Sequence, residues 1–284
     1  MKAAIAFMWL LVEVIAFPRY DHDWENITIL EEDQLLGFEN RIVGGEHATP
    51  NQFPYQVGLR LLKVRDLDVY RSWCGGSLIS DKVVLTAAHC LDNAASVLLY
   101  LGAHDRTKSS ELKREMIQVK KESFIIHEKY DRDVIENDIG LILLPQQLEL
   151  NQYINTVKLP KASQTDLVGR MAVASGWGKT ADSEPGSSVL KFVNRKILDN
   201  SDCQQFFGLI LKTQLCMEGR NRKATCQGDS GGPLAIEDSD GSKVIVGLTS
   251  FGGYSCEKGI PVVFTRVSSF LDWINKHTGI PVEA

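Results

Sequence analysis

Three short segments carry side chains that could do chemistry together. Thr86-Ala87-Ala88-His89-Cys90 sets an imidazole directly after an apolar run, and Asn137-Asp138-Ile139-Gly140-Leu141 sets a carboxylate at the mouth of another. Gly228-Asp229-Ser230-Gly231-Gly232-Pro233 sets a hydroxyl in a turn so rich in glycine that its backbone N–H groups can face a ligand. Each segment alone has an ordinary explanation. Single histidines are mostly structural or exposed, which is the reading for His22, His47, His104, His127 and His277. An Asp ahead of a strand is usually a turn former, and a glycine-rich run can be a plain loop. In the chain order His, Asp, Ser, however, the three match the constellation that acyl transfer needs.

The chemistry explains the residue types. A serine hydroxyl is a poor nucleophile at neutral pH and needs a base that titrates near it, which only imidazole supplies unperturbed. The imidazole in turn needs a buried carboxylate to fix its tautomer and to stabilise it once protonated. Ser230 is therefore the expected nucleophile, His89 the general base and then acid, and Asp138 the orienting carboxylate. The developing oxyanion needs two fixed donors, for which the Gly228 and Ser230 N–H groups are the candidates; one such donor is commonly worth about 3–4 kcal/mol.

The elements that must position these groups read as strands. From residue 42 onward short apolar or alternating runs (55–62, 76–79, 83–86, 97–101, 139–144, 171–176, 244–249 and 262–267) are separated by clusters of Gly, Asn, Asp, Ser and Pro. That pattern predicts an all-β sandwich or barrels, not βαβ units. One helix is expected at the end: Ser268 and Ser269 offer caps, Phe270, Leu271, Trp273 and Ile274 share an apolar arc, and Gly279 stops it. The chain has 284 residues, ample for a sizeable core, and no low-complexity tract or evident repeat. Its formal charge of −5 resides wholly in residues 17–41, where Arg19 and Arg41 face seven acidic side chains. Residues 42–284 are formally neutral, which gives no electrostatic case for nucleic acid or an acidic membrane as partner.

The first sixteen residues, with Lys2, an apolar stretch and Ala16, read as a secretory signal peptide; the stretch is too short to span a bilayer and is broken by Glu13. Residues 17–41 hold the sequon Asn26-Ile27-Thr28 and no cysteine, as a releasable propeptide would. Six cysteines, Cys74, Cys90, Cys203, Cys216, Cys226 and Cys256, in an exported chain imply an oxidising compartment and three disulfides. Six cysteines allow fifteen pairings, and counting does not choose among them. None has the spacing of a structural zinc site.

Over residues 42–277 the chain resembles a chymotrypsin-family (S1) serine peptidase. Ile42-Val43-Gly44-Gly45, TAAHC at 86–90, DIGLILL at 138–144, GWG at 176–178, GDSGGP at 228–233 and Ser250-Phe251-Gly252 stand in the family's order. The CEKGIPVVFTRV stretch at 256–267 is similar to invertebrate chymotrypsins and brachyurins. The resemblance implies a trypsin-like fold of two six-stranded antiparallel β-barrels, about 42–155 and 156–284, with the triad between them and a C-terminal α-helix. It also implies the disulfides Cys74–Cys90, Cys203–Cys216 and Cys226–Cys256. It implies activation by cleavage between Arg41 and Ile42, after which the new amine of Ile42 folds inward to pair with Asp229. A buried unpaired carboxylate is costly, so such a pair can order the oxyanion loop.

The resemblance places Ala224 at the base of the primary specificity pocket, Gly252 and Val262 at its walls, with Ser250 and Phe251 alongside and Tyr254 at the rim. A methyl group at the base cannot pair a Lys or Arg side chain, so apolar P1 residues (those preceding the scissile bond) are expected. Ala103 and His104 stand where the first carboxylate of the family's calcium loop would be, so no calcium and no cofactor are expected. The expected partners are protein or peptide substrates, an activating trypsin-like protease and protein protease inhibitors, with the enzyme itself a monomer. The alternatives are a broad collagenolytic, brachyurin-like protease and a catalytically silent homologue. Silent homologues typically lose a triad member, and this chain keeps all three.

Overall fold

The structure, a computed structural model, describes residues 45–65 and 68–283. The expected leader, the propeptide and the Arg41-Ile42 junction lie outside the described residues. In chain order the strands are β1 (Glu46–His47), β2 (Gln56–Arg65), β3 (Asp68–Ser80), β4 (Val83–Thr86), β5 (Ala94–Leu101), β6 (Glu115–Lys120) and β7 (Phe124–Ile126). They continue with β8 (Gly140–Leu143), β9 (Met171–Gly176), β10 (Lys191–Leu198), β11 (Gln214–Met217), β12 (Pro233–Glu237), β13 (Lys243–Gly252) and β14 (Val262–Arg266). Among the described residues three α-helices punctuate them: α1 (Ala88–Leu91), α2 (Asn200–Phe207) and α3 (Leu271–Thr278).

The strands form two antiparallel, barrel-like sheets, as the all-β reading expects. The first runs β6-β5-β2-β3-β4-β8-β7. The second runs β10-β11-β14-β13-β12-β9 and closes on itself where β9 pairs with β10, so it leaves no free edge. β1 adds to β10 from outside, tying the start of the described chain to the second barrel. The period-two pattern explains the cores: Val57, Leu59 and Leu61 point from one face of β2 into the first barrel and are buried, as are Leu78, Val84 and Leu99. Each such side chain contributes about 1.5–3 kcal/mol relative to exposure. Leu234, Val246, Val262 and Phe264 fill the second barrel, and a third cluster including Tyr55, Leu85, Ile139, Val173, Trp177 and Leu248 joins the two. At the joint the Ser175 hydroxyl donates to the Gln56 amide oxygen at 2.6 Å.

The cysteines pair as Cys74–Cys90, Cys203–Cys216 and Cys226–Cys256, the pairing that the resemblance implies. Cys203 lies on α2 and Cys216 on β11, both fully buried, so their bridge ties the helix to the second barrel. The C-terminal helix forms as expected and stops at Gly279 in the left-handed conformation (φ +73°), but Ser268 and Ser269 do not cap it. They lie in a 3₁₀ turn, Val267–Phe270, that leads into α3. Trp273 of α3 donates its Nε1–H to Glu128 at 2.8 Å, so the last helix packs back onto the first sheet's loops. Among the described residues no helix is long and apolar enough to cross a membrane.

Candidate active site

His89 sits on α1, a single helical turn that β4 feeds directly. The Thr86 hydroxyl donates to the Gly75 carbonyl at 2.8 Å, Ala87 is extended, and Ala88, Cys90 and Leu91 turn inward. The Cys74–Cys90 disulfide then pins the turn to β3. Asp138 enters from a constrained loop. Ile135 and Asn137 both have positive φ, +52° and +53°, and for a β-branched residue such as Ile135 that is a strained conformation. Strain just before a candidate carboxylate fits a loop shaped to aim it.

The carboxylate of Asp138 is only 2 % exposed and is fully engaged. Its Oδ2 lies 2.8 Å from His89 Nδ1, its Oδ1 accepts the His89 backbone N–H at 2.9 Å, and the Ser250 hydroxyl donates to Oδ2 at 2.6 Å. Thr265 on β14 donates to its backbone carbonyl at 2.7 Å, so the second barrel holds a residue of the first. Ser250 sits at a register shift between β13 and β14, a bulge that re-aims a side chain. Burial pushes the Asp138 carboxyl up, but the His89 ring, the Ser250 hydroxyl and the His89 N–H outweigh it and hold the group below the usual carboxylate range.

Ser230 occupies the turn ahead of β12. Its carbonyl accepts the Gly75 N–H at 2.7 Å, and the Gly231 N–H donates to Thr249 at 2.7 Å, fixing the turn between the two sheets. Gly231 has φ +72° and a Cβ there would collide with Thr86, so only glycine fits. The Ser230 hydroxyl makes no hydrogen bond among the described residues; nucleophile–base bonds of this kind are often long until substrate binds. The N–H groups of Gly228 and Ser230 donate to no protein acceptor among the described residues, which leaves both available to a ligand oxygen. Asp229 is fully buried, at 0 % exposure, and accepts the Gly178 and Cys226 N–H groups at 2.8 and 2.9 Å. Burial pushes its carboxyl up to about 6 against those two donors.

Beside Ser230 opens a cavity of about 240 Å³. Ala224, Ser250, Phe251, Gly252 and Val262, all anticipated, line it. A Cβ on Gly252 would meet the Val262 methyls at 3.8–4.0 Å, and the two residues are register partners on β13 and β14, so Val262 packs directly beside Gly252. Thr225, Gly253, Ser255 and Ile260 also line it. Tyr254 does not; its ring is exposed and its hydroxyl meets Lys258 Nζ at 3.0 Å. Ile260 lies so close over Gly253 that a Cβ there would approach its Cδ1 to 2.6 Å.

A family profile described as Trypsin matches residues 42–274. Brachyurin from Leptuca pugilator is 42 % identical over 242 residues, 84 % of this chain and 99 % of that protein. Chymotrypsin from Phaedon cochleariae is 39 % identical over 240 residues, 84 % of this chain and 82 % of that one. The solved structure of HL collagenase superposes with a TM-score of 0.74 at 35 % identity, covering 84 % of this chain and 100 % of that one. The chain belongs to the trypsin family of serine endopeptidases.

Membership in the trypsin family makes the two-barrel fold and action on protein substrates properties of this chain. Glu111 is taken up by the backbone N–H groups of His104 and Asp105 and by Arg114 at 4.0 Å. Two side-chain groupings among the described residues have metal-like spacing, Cys74-His89-Cys90 and Asp182-Cys226-Cys256, but their cysteines are locked in disulfides and cannot ligate. Ile260 and Gly253 carried no sequence signal, because the shape of a loop rich in glycine does not show in periodicity.

Proposed function

We propose that this trypsin-family chain is a secreted zymogen, with residues 1–16 as signal, 17–41 as propeptide and 42–284 as the peptidase. The cleaved enzyme hydrolyses peptide bonds after apolar P1 residues. The observation that carries this reading is the fully engaged Asp138–His89 pair beside a cavity that Ala224 helps to line. His89 takes the proton of Ser230 as Ser230 attacks the carbonyl, and later gives it to the leaving amine. Asp138 holds the tautomer that leaves Nε2 free to accept that proton. The Gly228 and Ser230 N–H groups receive the oxyanion.

Activation follows from Asp229. A fully buried carboxylate with no cation near it among the described residues is a site for one, and the Ile42 amine freed by cleavage after Arg41 supplies it. With Ala224 at the pocket base, Arg41 is a poor substrate for the enzyme itself, so a trypsin-like protease must cut it. With no cysteine in residues 17–41, the propeptide leaves. The enzyme works outside the cell as a monomer, without cofactor, under the control of protein inhibitors. A collagenolytic activity is the second reading; the relatives named brachyurin and collagenase favour it, and digestion of native collagen tests it.

Treating the purified precursor with trypsin tests the whole. A fluorophosphonate is expected to label the chain only after cleavage at Arg41, and not at all in Ser230→Ala. On Ala, Leu, Phe and Arg substrates, kcat/KM is expected to be at least as high for Leu as for Phe, and far higher for both than for Arg. Val262→Gly opens the wall and moves the ratio toward Phe about tenfold, roughly 1.4 kcal/mol. Labelling of Ser230→Ala, or efficient cleavage after Arg, overturns the assignment.

A further inference from the structure

β2 carries an anomaly. Its inward face reads Val57, Leu59, Leu61 and then Lys63, and Lys63 is 8 % exposed, a lysine where the alternation calls for an apolar side chain. Burying an ammonium is costly unless it is hydrogen-bonded, and few positions tolerate it. The one hydrogen bond that this side chain makes among the described residues runs from its Nζ to the backbone carbonyl of His89, at 2.9 Å.

The surrounding geometry delivers it there. The ladder between β2 and β5 shifts register between Leu62 and Lys63, so that Leu62 pairs with Ser96 but Lys63 with Ala94. Such a bulge redirects the side chain beside it. The next residue, Val64, donates its N–H to the Asn93 carbonyl at 2.9 Å, so β2 holds the exit of α1 as well. α1 is a single turn, and the His89 carbonyl belongs to the last turn of a helix, where carbonyls lack partners within the helix. Lysine side chains near a helix C-terminus are suited to fill that need. Asp92, which ends α1, faces Lys63 electrostatically and pairs with Arg132 at 3.3 Å. Arg132 lies on the loop that leads to Asp138, so both elements of the candidate site are drawn together at this point. Both backbone polar groups of His89 are thereby held by charged side chains: its N–H by Asp138 and its carbonyl by Lys63.

We infer that Lys63 is a positioning residue for His89, fixing through its carbonyl the short helical turn from which the imidazole serves Ser230. This rests on His89 being the general base. Because the ammonium sits on an apolar face, a methionine of similar shape satisfies packing there; what methionine cannot do is hold the His89 carbonyl.

The test uses the trypsin-activated enzyme, with rates normalised to fluorophosphonate-titrated sites. Lys63→Met is expected to lower kcat about tenfold with KM unchanged, since small misplacements of a catalytic group are expensive in rate. Lys63→Arg, which keeps a buried donor, is expected to recover most of that loss. The downfield proton resonance of the His89 Nδ1–H···Asp138 bond is expected to broaden in Lys63→Met and to sharpen again in Lys63→Arg. Leu61→Ala serves as a variant destabilised on the same strand without touching His89. Lys63→Met with kcat within twofold of wild type and an unchanged resonance overturns the inference. So does a loss in Lys63→Met no greater than that of Leu61→Ala at equal Tm. His89→Ala separates the two readings: if it keeps its turnover, the assignment of the base fails, and the Lys63 results are then read from the resonance alone.

Discussion

Two buried aspartates, Asp138 bonded to His89 and Asp229 next to Ser230 in the chain, are shifted in opposite directions. Asp138 is held below the usual carboxylate range, whereas Asp229 is pushed up to about 6. Burial acts on both in the same direction. The difference lies in the partners. Asp138 receives an imidazole, a hydroxyl and a backbone N–H, all from elements that are in place in the described chain. Asp229 receives two backbone N–H groups and, among the described residues, no cation. Gly176 and Gly178 press against it, since a Cβ on either would collide with its carboxylate, so the backbone closes tightly around Asp229. One carboxylate is complete; the other has its walls but, among the described residues, no cationic partner. Chain cleavage that delivers an amine turns the second into a likeness of the first, and on the proposed reading that is the activation switch.

Neutralising the complete carboxylate has the largest expected effect. Asp138→Asn keeps the shape but offers an amide N–H to His89, which forces the wrong tautomer; kcat is expected to fall about 10⁴-fold, the loss that goes with this defect in the triad. Active-site-titrated kinetics check it, and a loss under tenfold would separate Asp138 from catalysis. Asp229→Asn is expected to lower kcat/KM of the trypsin-cleaved protein by about 10²–10³, as for loss of one oxyanion donor. Its stability effect should change sign on cleavage. Burial pushes the folded carboxyl up to about 6, above the unfolded value of about 3.9, so as long as no amine reaches it its contribution is fully present below the unfolded value and lost as pH rises through about 6. Uncleaved wild type is therefore expected to lose Tm relative to Asp229→Asn between about pH 4 and pH 6 and to run parallel to it above. Once the amine is in place, wild type is expected to be the more stable. Equal shifts in both forms would show that Asp229 does not sense the new terminus.

The candidate triad could be read from the sequence because acyl transfer demands particular side chains in particular local frames: a His just after an apolar strand, an Asp just before one, a Ser among glycines. The cysteine pairing was legible only through family resemblance. β10 was missed because a run such as Lys191-Phe192-Val193-Asn194-Arg195-Lys196 mixes charge into a strand that is only partly buried. α2 was missed because its eight residues bury only Cys203, and its start is set by the Asp199 side chain accepting from the Ser201 N–H. The roles of Ser250 and Lys63 lie beyond sequence reasoning of this kind. Both depend on bulges, and a bulge changes which way a side chain points without leaving a mark on composition or period. Ile260 belongs with them, since only the fold of its loop puts it on the cavity.

The smallest expected effect comes from removing one partner of the complete site. Ser250→Ala deletes the hydroxyl that donates to Asp138 at 2.6 Å but leaves the His89 ring and N–H in place. A hydrogen bond to a charged group contributes about 1.5–3 kcal/mol, so a loss of stability at the low end of that range is expected at neutral pH. The Asp138 carboxyl then moves up toward its unfolded value, one step toward the condition of Asp229. The sign follows from its depressed starting point: stabilisation by a carboxyl held low is present above the unfolded value of about 3.9 and is lost as pH falls through the folded one. The gap in urea midpoint between wild type and Ser250→Ala is therefore expected to be constant above about pH 5 and to narrow on acidification, because below both values the protonated group no longer rewards the stronger site. Turnover should drop only a few-fold, since His89 still holds its tautomer through Oδ2. A gap that widens in acid would mean that Ser250 stabilises the protonated carboxyl instead. The engaged state of Asp138 would then depend on His89 alone, and the contrast with Asp229 would rest on one partner instead of three.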